Sequence, residues 1–158
     1  MNETSFDPSR GTASAAESAG FWVLFLTQTA ALFVVAIYAL PLFRLFVAAP
    51  GADAASGDRR LPLFCAAVLM QICYWSRRRL LAMPVLRHDD LSGHLLLFLA
   101  RTLFVFAAAF VPIALAVSLD APPSPLGVVL VPVVLFAVFC YAWEIERLAR
   151  LRLEPLAD

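Results

Sequence analysis

Four stretches of this chain are long and apolar, and all but the second are longer than a soluble fold needs. They run over residues 21–43, 61–76, 94–119 and 126–143, and Arg101 is the single charge well inside any of them. Spanning a bilayer takes ~20 apolar residues as a helix. In lipid every backbone N–H and C=O needs an internal partner, so such runs are helices or closed barrels. A barrel strand alternates apolar and polar residues, and none of these runs alternates. The expectation is an all-α, polytopic membrane protein: four transmembrane helices in an antiparallel bundle, with the N and C termini on the same side.

Composition agrees. Of 158 residues, 62% are hydrophobic and 15% charged, against about a quarter charged in a typical soluble domain. The four spans leave room only for short connections. Residues 1–19 are small and polar and are expected to form a mobile tail, so the transmembrane domain is 20–153, its last helix extended to about 153. Within the short connections, DAPPSP over 120–125 predicts a tight turn, with Ser124 as the N-cap and Pro125 as the first helical residue. Pro62 fits the first turn of the second helix for the same reason.

Arginine supplies all 12 basic residues and there are 12 acidic ones, so the net charge is zero. Nucleic-acid binding needs a clustered basic surface and is not expected. With four spans, Arg10, Arg77, Arg78, Arg79, Arg87, Arg147, Arg150 and Arg152 share one side, and Arg44, Arg59 and Arg60 the other. Basic residues accumulate on the cytoplasmic side, so both termini are expected there. Trp22, Trp75 and Trp143 fall at that same level, where aromatic rings favour the interface. The localisation this predicts is a bacterial cytoplasmic (inner) membrane, the bacterial part resting on the all-arginine composition.

Polar residues at membrane depth are the candidates for chemistry. If spans three and four form a hairpin about the 120–125 turn, Arg101 falls opposite Glu144, just past Trp143 at the cytoplasmic interface, which predicts a structural ion pair. Gln28 and Gln71 fall near mid-membrane and are expected to bond each other or their copies in an oligomer. Arg77, Arg78, Arg79, Arg87, Arg147 and Arg150 form a basic cytoplasmic contact face, suited to a partner or to anionic lipid at the 77–94 loop. Within that loop, 80–86 is apolar but interrupted by Pro84, and is expected to lie in the interface.

His88, Asp89 and His94 are weak metal candidates. On a helix, His88 and His94 are six apart and face different ways, unlike the i, i+4 histidines of HExxH. Asp89, Asp90 and Ser92 instead suit the free amides at the start of span three. Glu146 and Arg150 are set for an i, i+4 pair. Cys65, Cys73 and Cys140 lie in apolar runs with no CxxC spacing and read as small buried side chains. There is no Ser/His/Asp constellation, no paired catalytic carboxylates and no phosphate loop, so no cofactor is expected.

The function this predicts is a non-enzymatic membrane subunit or scaffold, assembling with itself or a partner through its helices and basic face. A homo-oligomeric pore or membrane-perturbing effector, its path lined by Thr27, Gln28, Thr29 and Gln71, is the alternative. An enzyme using the interfacial His/Asp/Arg cluster is the third.

Overall fold

The computed structural model describes residues 15–48, 57–81, 83, 84, 86, 88–120 and 125–154. Within them the chain forms four helices: α1 (Ala15–Ala48), α2 (Gly57–Leu80), α3 (Asp90–Asp120) and α4 (Pro125–Leu153). Three of these contain segments long and apolar enough to cross a membrane: Ala15–Pro41, Asp90–Pro112 and Val128–Leu153. The apolar part of α2 is shorter, because three arginines follow Ser76.

The helices outrun the apolar runs that predict them. Residues 15–19, expected to be mobile, form the first turn of α1. Small residues such as Ala15, Ala16 and Ala19 favour helix once a long apolar segment nucleates it. α2 begins at Gly57, which places Pro62 in its second turn rather than its first. It also runs through Arg77–Arg79, which end the apolar stretch but sit in the last helical turn. Pro125 opens α4 as expected. Ser124 and the rest of 121–124 lie outside the described residues, as do Arg87 and residues 1–14.

α3 packs along α4, and α1 along α2; α4 also meets α2 and, more lightly, α1. α2 and α4 are therefore the middle elements. Their inward faces repeat at helical spacing: Leu63, Ala66, Ala67, Met70, Cys73 and Tyr74 on α2, and Leu130, Ala137, Tyr141, Ile145, Leu148 and Ala149 on α4. The buried face of α3 is made of small residues seven apart: Gly93, Ala100 and Ala107. Lipid offers no hydrophobic drive between helices, so close approach of small residues is what holds such a pair.

That approach is tightest at Gly93. A Cβ there would stand 2.7 Å from the Leu153 side chain and 3.5 Å from the Ala149 carbonyl oxygen. Beside it, the Asp89 N–H donates to the carbonyl of Arg152 at 3.2 Å, and Arg152 Nη1 donates to Ser92 Oγ at 2.6 Å. Further along, Phe104 rests on Phe139, ring centroids 4.7 Å apart. The connection after α2 folds back on α1, with Leu81 beside Gly20 and Pro84 buried.

Candidate functional site

The three arginines that end α2 have three different fates, set by helical phase. Arg77 stands seven residues after Met70 and four after Cys73, on the buried stripe. It is 2% exposed, and Gln28 and Glu144 beside it are 0% and 4% exposed. Arg78 and Arg79 are rotated off that stripe and lie exposed on rings of their own helix, four residues back. Arg78 Nη1 donates to Tyr74 Oη at 2.7 Å, and the Arg79 guanidinium sits 5.5 Å from the Trp75 ring centroid.

Side chains on a helix lean toward its N-terminus, so Arg77 reaches back into the bundle rather than out of it. Its Nη2 donates to Gln28 Oε1 on α1, and its Nη1 stands 4.0 Å from Glu144 Oε1 on α4. The guanidinium also lies 5.1 Å from the centroids of both Phe21 and Phe25, an arrangement in which ring faces attract a cation. One side chain thus ties α1, α2 and α4 together. Next to it, Tyr141 stacks on Phe25 and its hydroxyl meets Thr29 Oγ1 at 2.7 Å. Thr29 gives its own proton to the Phe25 carbonyl at 2.8 Å, so Tyr141 is the donor in that pair.

Donors outnumber acceptors at this junction. Arg77 Nε and Nη1 and Gln28 Nε2 are buried and make no hydrogen bond. A buried, unpaired polar group costs ~1–3 kcal/mol, so the cluster is held by packing around a charge pair rather than by saturated bonding.

The cluster corrects two expectations. Glu144 pairs with Arg77, not with Arg101. Glu144 follows Ala137 by seven residues and so faces inward with it, whereas Arg101 is one residue past the buried Ala100, ~100° away around the helix, and is exposed. Gln28 bonds Arg77, not Gln71. The Gln71 amide is buried with neither its nitrogen nor its oxygen hydrogen-bonded, and the Cys140 thiol is its weak polar neighbour. Charge at the end of an apolar run reads as a stop; the heptad phase of Arg77 with Met70 is the signal that turns it inward.

The remaining candidates lie at the start of α3 and the end of α4. The Ser92 side chain, the backbone N–H groups of Ser92 and Leu91, and Arg152 together hold the Asp89 carboxyl below the usual carboxylate range, against a smaller desolvation effect. Asp89 is therefore the N-cap of α3. His88 Nε2 is 3.5 Å from Asp90 Oδ1, and His94 Nδ1 is 2.8 Å from the Asp90 carbonyl of its own helix. Among the described residues no three His, Cys, Asp or Glu side chains converge as a metal site. Arg150 Nη2 donates to Glu146 Oε1 at 2.6 Å, the i, i+4 pair the spacing predicts. Arg147 is exposed beside it.

The chain matches no family model, no curated protein and no solved structure. Its own side chains carry the functional reading.

Proposed function

We propose that this chain is a non-enzymatic subunit or scaffold of a bacterial cytoplasmic membrane, an antiparallel bundle crossing four times with both ends in the cytoplasm. The observation that carries the reading is the Arg77 cluster. Its polar side chains are turned onto each other, Arg77 to Gln28 and Glu144, and Thr29 to Tyr141. They hold helices together rather than face a substrate. Gln28 and Thr29, which a homo-oligomeric pore would need along its path, are used inside the protomer, and this favours the subunit reading over the pore.

Topology is supported by contacts at one end. The start of α3 is bonded to the end of α4 through Asp89, Ser92 and Arg152, as an antiparallel pair requires. α2 counts as the fourth crossing because it lies between α1 and α4 with Ala67 and Met70 fully buried. Its short apolar run is extended by Arg77, whose charge is met inside the bundle. Arg78, Arg79, Arg147 and Arg150 would then share the cytoplasmic face, open to anionic lipid or a partner.

Cross-linking in native membranes followed by mass spectrometry tests this. A defined foreign subunit is expected. A homo-oligomer that conducts ions would overturn the reading in favour of a pore. Reporter fusions at residues 53 and 121 are expected in the compartment opposite the two termini, and finding them on the termini's side would end the four-span layout.

A further inference from the structure

We infer that the seam between α2 and α4, on the side away from α1, binds the headgroup of an anionic phospholipid, with its phosphate held between Arg78 and Arg147. The inference rests on the four-span layout and names the ligand of its basic face.

Helical phase brings the two arginines to one seam. On α2, Arg77 turns to Gln28 of α1, and Arg78, one residue on, is ~100° further round. On α4, Tyr141 turns to Phe25 and Thr29 of α1, and Cys140, one residue back, is turned away by the same angle. These two outer positions meet. Gln71 neighbours Cys140, and the charge of Arg78 acts at the Cys140 thiol. Arg78 follows Gln71 by seven residues and Arg147 follows Cys140 by seven, so both stand on this seam, and both are exposed.

They also stand at one level. α2 and α4 run in the same direction, with Gln71 beside Cys140 and Arg77 beside Glu144. Counted from the second pair, Arg78 is one residue beyond and Arg147 three, a difference in height of ~3 Å. Trp75 lies two residues before that pair and Trp143 one. The two tryptophans are 43% and 59% exposed, and indole rings favour the membrane interface. The arginines, one turn nearer the cytoplasm, therefore stand at headgroup level. Among the described residues no carboxylate pairs with either: Glu144 faces inward to Arg77, and Glu146 holds Arg150. Tyr74 Oη takes one N–H of Arg78 and leaves the rest of its fork. Guanidinium forks pair with phosphate oxygens through charge-assisted hydrogen bonds. A zwitterionic headgroup brings its own cation, which the arginines repel. Deeper on α4, Phe136 and Val129 continue from Trp143 at seven-residue steps and are exposed, an apolar track for the acyl chain that a free phosphate would leave bare.

The test reconstitutes the full chain in phosphatidylcholine vesicles that hold a minority of phosphatidylglycerol brominated high on its acyl chains. Trp22→Phe is included, so that Trp75 and Trp143 alone report. Bromine quenches a tryptophan it touches. The expected result is stronger quenching than the same fraction of brominated phosphatidylcholine gives. Arg78→Gln and Arg147→Gln are each expected to lower that preference about fivefold, the change that ~1 kcal/mol per arginine gives, and Arg78→Lys with Arg147→Lys to keep it. Arg150→Gln removes the same charge from a residue already held by Glu146 and is expected to leave the preference unchanged. Glycerol phosphate in the buffer is expected not to relieve the quenching. Unfolding of the glutamine variants in detergent is expected to match the wild type, because both side chains are exposed. Equal quenching by the two lipids, an equal loss with Arg150→Gln, or relief by glycerol phosphate overturns the inference: the site is then absent, diffuse, or indifferent to the acyl chain. Each of these leaves the four-span layout standing, because the reporter fusions at residues 53 and 121 decide it independently.

Discussion

The guanidinium of Arg77 lies 4.0 Å from the Glu144 carboxylate, and their side chains are 1% and 6% exposed. Removing one member of a buried pair leaves an uncompensated charge at a cost of ~3–5 kcal/mol. Arg77→Met and Glu144→Leu are each expected to destabilise the protein strongly, and the double variant to recover toward wild type. The coupling should fall within ~0.5–3 kcal/mol, read from SDS-induced unfolding in mild detergent. Additive losses would mean that the two side chains contribute separately.

Arg77→Lys is expected to behave like the loss of the side chain. The fork places Nη2 on Gln28 and Nη1 toward Glu144 while the guanidinium lies against Phe21 and Phe25. An ammonium is a single compact donor and does not reproduce that division. Unfolding of Arg77→Lys at the wild-type SDS concentration would show that positive charge alone suffices.

Gly93 faces Leu153 across the start of α3 and the end of α4. Gly93→Leu is expected to cost ~1–3 kcal/mol, because the added bulk must push the two helices apart. Gly93→Ala is expected to be near neutral. The displaced atoms belong to the flexible end of Leu153, and alanine gains up to ~1 kcal/mol in helix preference. Equal stability of Gly93→Leu and wild type would show that the contact does not constrain the pair.

Asp89 gives this end of the bundle a pH dependence. Its carboxyl is held below the usual range by Ser92 first, then by the backbone N–H groups of Ser92 and Leu91 and by Arg152. A depressed carboxyl contributes stability above its unfolded value, near pH ~4. That contribution is lost as pH falls from there through the folded value. Asp89→Asn is expected to flatten the acid limb of stability below about pH 4 while lowering stability at neutral pH, measured by unfolding in detergent across that range. An unchanged acid limb would remove Asp89 from the account.

The sequence by itself determined the helices and their apolar character. Runs of this length and composition satisfy their backbone only as helices in lipid, so no tertiary information was needed to place α1, α3 and α4 to within a turn or two. Close pairing of Glu146 with Arg150, and the Asp89 cap, were also legible, because both are local in the chain. What only the tertiary structure decided was the fate of each charge at depth. Arg77 and Arg79 differ by two positions, yet one is buried in the bundle and the other lies exposed on Trp75, and Glu144 turned away from Arg101 toward a residue 67 positions earlier in the chain. Hydropathy registers how much polar surface a segment carries but not which way it faces. Direction comes from the rotation of each helix against its neighbours, and that rotation is set by the small and large side chains of four separate segments acting together.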